Sequence, residues 1–290
     1  MSRLRAMLPI LVAILVITID ARPAASAEAK ESKPKFAFVL LAKPRLPDGK
    51  DLLRAFAPFA SKDCQLRVDA ASQKKEHKND SEALVFDLTP DGHGFIGLMP
   101  TPVPKREADE AAAYSVHSIT QGWKLPPHAA HLIVSLTDPA TPSTVDRLAR
   151  FTWLLAAVAE ASGAVGIYWG DAGATHDPKF FISVAKDKAM VARLMLWTGI
   201  NTARTTDGGI GLLSTGMSQL GLPNLLLEAP RKSSGKALET FFDLLAYVAG
   251  RGKALPEGDT VGRTADERLP VHYVASPADP TEKVWRVQLK

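Results

Sequence analysis

The chain has 290 residues, 46% of them hydrophobic and 23% charged, which is enough apolar material for a sizeable core and excludes a chain disordered throughout. Its formal charge of +4 owes +2 to residues 1–27, where Arg3, Arg5 and Arg22 outweigh Asp20; the remainder is nearly balanced and gives no electrostatic case for nucleic acid. The single cysteine, Cys64, excludes an intramolecular disulfide and reads as a small buried residue.

Arg3 and Arg5 precede an apolar run over 7–19, and Ala25-Ser26-Ala27 supplies the small residues a signal peptidase accepts. The run is 13 residues long, short of the roughly 20 that a membrane-spanning helix needs, so residues 1–27 read as a cleavable signal peptide rather than an anchor. The expected product begins at Glu28 and is exported to the periplasm or the extracellular space. No later stretch suits a membrane span, since the best, 151–170, is interrupted by Glu160. Residues 28–35 are charged and aperiodic, a tether ahead of a fold over 36–290. That fold is one domain, or two intimate halves divided at 140/141.

Within it, 36–42 reads as a buried strand, and Asp48 as the N-cap of a helix with Leu52, Leu53, Phe56 and Phe59 on its apolar stripe. The polar run 72–80 reads as a solvated loop. Strands at 83–88 and 95–99 flank a Pro90-Asp91-Gly92 turn, the Ala- and Glu-rich stretch 106–116 predicts a helix, and 131–136 predicts a strand. The resulting order, β-α-β-β-α-β, is the ferredoxin-like arrangement. Ser143 caps the best-patterned helix, which runs to Gly163, and a strand follows at 165–169. Further strands are expected at 193–199, 210–213, 225–228, 271–274 and 284–289, with a helix over 234–248. Without strict alternation of strands and helices, the fold class is α+β with mixed or antiparallel sheets and packed helices.

Several motifs come close to a known chemistry and stop short. Residues 211–218 (GLLSTGMS) have the glycine spacing of a phosphate loop, but Met217 stands where its lysine belongs. The same stretch misses a nucleophile elbow around Ser214, because Leu212 replaces the first glycine. His128 and His131, three apart at the start of a strand, point to opposite faces and make a poor metal pair. The expectation is therefore no metal ion and no cofactor.

From Pro100 onward the order of features resembles the bacterial domain-of-unknown-function family 4261. Residues 99–104 (MPTPVP), Trp123, 128–136 (HAAHLIVSL), the helix 143–161, 164–169 (AVGIYW) and 214–223 (STGMSQLGLP) carry the resemblance, over most of the chain beyond the signal peptide. It implies kinship and a fold but no activity. Where family members often have an acidic residue after the Gly-Leu-Pro step, this chain has Asn224.

The reading is an exported, soluble α+β protein that binds an unidentified protein or small-molecule ligand without catalysis, with no nucleic-acid partner. The alternative is an extracytoplasmic hydrolase whose site is assembled from distant residues such as Asp171, His176 and Ser214. A binding site is expected where the strand ending at Trp169 runs into Gly170-Asp171-Ala172-Gly173, beside the glycine-rich stretch from Asp207 to Gly216. Its candidate residues are Trp169, Asp171, Asp207 and Thr215. The plainer reading of 170–173 is a turn in which Asp171 satisfies its own backbone.

Overall fold

A computed structural model describes residues 33–69, 83–139, 143–262 and 267–290. The signal peptide expected over 1–27, most of the tether and the polar run 72–80 lie outside the described residues.

The fold is α+β and is built on two sheets. The larger takes β1 (Lys35–Leu41), β2 (Leu66–Val68), β3 (Ala83–Leu88), β4 (Gly92–Met99), β5 (Ala130–Thr137), β6 (Gly166–Trp169) and β7 (Ala174–His176) in the spatial order β2-β3-β4-β5-β1-β6-β7, every neighbour antiparallel. Two helices pack side by side against it, α1 (Gly49–Phe56) and α4 (Thr144–Ser162). Both start as the sequence demands, with Asp48 accepting from the Lys50 amide at 2.7 Å and Ser143 from the Asp146 amide at 3.4 Å.

This sheet holds a ferredoxin-like unit, shifted along the chain from where the sequence places it. Its strands are β1, β4, β5 and β6, in the order β6-β1-β5-β4, and its helices are α1 and α4. Strands β5 and β6 run parallel on either side of β1, joined by α4; β1 and β4 run parallel on either side of β5, joined through α1 and the added β2-β3 hairpin. The expected second helix, 106–116, is instead two short ones, α2 (Glu107–Ala111) and α3 (Val116–Gln121). They are separated at Ser115, whose hydroxyl caps α3. Their segment lies on the other face of the sheet, where Val103 and Ala108 cover Leu40. Phe36, Val85, Phe95 and Met99 remain exposed on that face.

The second half adds α5 (Pro178–Ala185), α6 (Met190–Trp197), β8 (Gly199–Arg204), β9 (Ile210–Thr215), β10 (Leu225–Ala229), α7 (Ser234–Arg251), β11 (Thr260–Val261), β12 (Leu269–Pro270), β13 (His272–Ala275) and β14 (Lys283–Gln288). The smaller sheet is ordered β13-β14-β10-β9-β8, with only the β10-β14 pair parallel. The strand expected at 193–199 is the helix α6. Its Arg-Leu-Met-Leu-Trp sequence has no β-branched residue and is rich in good helix formers, and helix propensity prevails. Helix α5 escaped the sequence reading, although Asp177 caps it at 2.6 Å and Pro178 opens it in the ordinary way.

Contacts among α4, α5, α6 and α7 join the two sheets, and one core runs from Ala37 to Val287. A buried hydrogen bond from Trp197 Nε1 to Thr152 Oγ1, 2.8 Å, ties α6 to α4 inside it. Leu53, assigned to the apolar stripe of α1, is instead exposed, and Cys64 is a free, buried thiol. No helix among the described residues is long and apolar enough to cross a membrane.

Candidate functional site

The turn after β6 and the end of β9 do meet, as the sequence reading expects, but backbone packs on backbone there. A Cβ on Gly216, whose φ is +107°, would lie 2.5 Å from the Trp197 carbonyl oxygen and 3.1 Å from that of Asp171. One on Gly199 would lie 2.6 Å from the carbonyl oxygen of Ala172. These glycines admit close approach between segments of the chain itself, so the space they leave is already filled.

The four candidate residues separate. Trp169 is fully buried, edge-on to Phe151 with ring centroids 5.3 Å apart, and is a core residue; its neighbour Tyr168 takes the opposite face and stacks on Phe38. Asp171 is exposed and pairs with Lys35 at 3.2 Å. Thr215 is half-buried and accepts a hydrogen bond from Asn201 Nδ2 at 3.4 Å. Asp207 lies at the far end of β9, in the β8-β9 turn, where its carboxylate accepts from Thr205 Oγ1 at 2.5 Å and from the Gly209 amide at 3.2 Å. Those bonds hold its pKa below the usual carboxylate value. Asp171 and Thr215 thus share a neighbourhood, Trp169 lies beneath it, and Asp207 is elsewhere.

The residues of the hydrolase alternative have separate partners as well. His176 is fully buried beside Phe181, and loss of hydration pushes its pKa down to about 4. Ser214 is buried and committed, since its oxygen takes the Leu225 amide at 2.8 Å and its hydroxyl donates to Asn224 Oδ1 at 3.3 Å. Asn224 also accepts from the Met217 amide and donates to Glu282 Oε1 at 2.7 Å, so this side chain ties the end of β9, the start of β10 and the turn before β14 together. Residues 211–215 are strand, and a 3-10 turn follows at Met217–Leu220, which is not phosphate-loop geometry. His131 is buried with Nδ1 2.8 Å from the Thr101 carbonyl oxygen, and burial lowers its pKa. Among the described residues no group of three or more His, Cys, Asp or Glu is placed to hold a metal ion.

Next to the Lys35–Asp171 pair the fold opens a cleft of about 180 Å³. Lys33 and Lys35 enter it from the start of β1, Asp138 from the end of β5, Thr144 and Arg147 from the first turns of α4, and Gln219 from the 3-10 turn after β9. Its acid is engaged: Asp138 Oδ2 lies 2.9 Å from Nε of Arg150, a buried pair in which Arg150 Nη2 also donates to the Leu88 carbonyl at 3.0 Å. Arg147 donates to Thr144 Oγ1 at 3.1 Å, and neither it nor Lys33 has a carboxylate partner among the described residues. The cleft therefore carries unneutralised positive charge, to which the N-terminal end of the 19-residue α4 adds. Asp171 marks its neighbourhood in the sequence but its cations are not marked, because Lys33, Lys35 and Arg147 form no local motif.

Fold and cleft define an α+β protein with an extended ferredoxin-like sheet, a smaller mixed sheet, and a basic opening where the two adjoin. Residues 213–288 match the model of the family described as Domain of unknown function (DUF4261). That match runs from the second half of β9 to the end of β14 and includes the Ser214–Asn224–Glu282 network; of the segments that carry the resemblance in the sequence, 214–223 lies inside it and the others precede it. No curated protein and no solved structure matches the chain.

Proposed function

We propose that the protein is exported after removal of residues 1–27 and acts as a binding protein for a small anion, held in the cleft at the start of α4. The observation that carries the reading is the charge of that cleft, where Lys33 and Arg147 face an opening whose carboxylate, Asp138, is already neutralised by Arg150. Its size suits an oxyanion or a short carboxylic acid better than a drug-sized ligand, which needs about 300 Å³ or more. Binding is favoured over turnover because, among the described residues, no serine, cysteine or histidine lines the cleft and the hydroxyl that does, Thr144, is bonded to Arg147. Export is supported by the basic start, the short apolar run and the Ala25-Ser26-Ala27 step.

The test is thermal unfolding of the purified protein with inorganic phosphate, sulfate and succinate. A ligand at about a hundredfold its Kd adds about 2.7 kcal/mol, or about 5 to 10 °C for a fold of this size. Arg147→Gln is expected to keep its own Tm and lose that response. An unchanged response in Arg147→Gln, or none in the wild type, overturns the reading, and turnover of ester or phosphate substrates turns it toward the hydrolase. Export predicts Glu28 as the N-terminal residue of exported protein by mass spectrometry; an intact Met1 there refutes it.

A further inference from the structure

The smaller sheet ends on β8, and the hydrogen bonds of the β8-β9 turn show which backbone groups of that edge are unused. The Thr205 amide donates to the Gly209 carbonyl, and the Gly208 amide to that of Thr205, so both backbone groups of Thr205 point at the returning strand. Antiparallel ladders alternate, and the register pairs Ala203 with Gly211, Asn201 with Leu213 and Gly199 with Thr215. Those residues direct their amides and carbonyls at β9. Ile200, Thr202 and Arg204 therefore direct theirs outward. At Ile200 the edge is covered, since the neighbouring Gly199 packs against the carbonyls of Ala172 and Gly173, whereas Thr202, Ala203 and Arg204 are exposed.

From this free half a groove of about 540 Å³ runs inward across the start of β9. Arg204 enters it from β8, Gly209 and Ile210 floor it, Arg231 enters from the turn before α7, and Ser234 from the first residue of α7. Gly209 brings the two sides together, its missing Cβ leaving room for the Ala229 carbonyl and Pro230. Among the described residues neither arginine has a carboxylate partner and no acid lines the groove, while Asp207, in the adjoining β8-β9 turn, spends its carboxylate on Thr205 and the Gly209 amide. An edge with two open backbone positions and two unpaired guanidinium groups complements one kind of partner.

We propose that the Thr202–Arg204 edge of β8 takes up an extended, acidic peptide segment as an added strand, with its carboxylates on Arg204 and Arg231. The site is distinct from the cleft at α4 and does not depend on it. Two copies of this chain pairing edge to edge would bring like charges together, which disfavours self-association here.

Fluorescence anisotropy tests this on the intact protein. The probe is a labelled seven-residue peptide of alternating Glu and Val; the controls are its Lys counterpart and a Glu peptide N-methylated at alternate amides, which keeps the charge but cannot complete a strand ladder. Expected are binding of the Glu peptide, at least tenfold weaker binding of both controls, and at least tenfold weaker binding of the Glu peptide to Arg204→Gln/Arg231→Gln with an unchanged Tm. Thr202→Pro, which removes one outward amide, is expected to behave like the N-methylated probe, and that probe decides the point if the variant does not fold. Equal binding of the N-methylated peptide, no preference for Glu over Lys, or full binding by the double arginine variant overturns the proposal. So does a β8-dependent dimer in light scattering, or a single-stranded oligonucleotide that displaces the Glu peptide.

Discussion

Arg150 and Arg147 sit one helical turn apart on α4 and face different surroundings. Arg150 is buried against Asp138 and the Leu88 carbonyl, whereas Arg147 opens into the cleft with a threonine hydroxyl beside it. The same contrast separates two regions. In the interior between the sheets, charge is neutralised or absent: Asp138 is paired, His176 is held neutral, and Trp169 and Trp197 lie among apolar neighbours. At the two basic openings, by the start of α4 and along β8, Lys33, Arg147, Arg204 and Arg231 are left without acids among the described residues. Removing a buried group should therefore destabilise the protein, and changing an exposed cation should alter only what it binds.

The largest effects belong to the interior. Asp138→Asn strands the Arg150 charge and is expected to destabilise by about 3 to 5 kcal/mol, as measured by urea unfolding. Trp169→Ala should cost a similar amount, about 3 to 5 kcal/mol, without a specific loss of anion response. If Trp169→Ala instead stayed stable and lost ligand, the interior would reach the site and the contrast would fail.

His176 sharpens the comparison through pH. Its folded pKa, about 4, lies below the ordinary 6.5, so the unfolded chain binds the proton more readily. Its contribution is complete above pH 6.5 and is lost as pH falls from 6.5 toward 4, by about 3 kcal/mol in all. Urea unfolding across that window should show the decline, and His176→Leu should flatten it.

Smaller effects belong to the junctions. Asn224→Asp places a second carboxylate where the amide now meets Glu282 at 2.7 Å, and should cost about 1 to 2 kcal/mol at neutral pH, less on acidification. The smallest is Asp171→Asn: an ion pair this exposed is worth under about 1 kcal/mol, so stability should barely move. Because Asp171 engages Lys35 of the cleft, anion affinity should rise instead, read by titration calorimetry.

Local signals carried far into the fold. Asp48, Ser143 and Gly163 mark helix ends that the structure reproduces, and the strands at 35–41, 130–137 and 283–288 follow from apolar runs. Where local patterns compete the structure departs from them: α6 is a helix where a strand is expected, and Ser115 divides one expected helix into two. The candidate site was partly legible. Asp171 follows from the sequence and pairs with a lysine of the cleft, while Trp169 has a candidate's place next to a glycine turn but a ring that fills the core.

By itself the sequence determined the α+β class, the limits of the capped helices and of the strands with clear apolar runs, and the shortage of local catalytic motifs, because caps, turns and periodicity act within a few residues of one another. Only the tertiary structure decided which strands form the ferredoxin-like unit, since β6 and β4 reach their places by crossing β1 and β5. It likewise decided which cations stay free. A charge is neutralised by whatever acid the fold brings to it, and Asp138 reaches Arg150 but not Arg147 through packing that no spacing along the chain records.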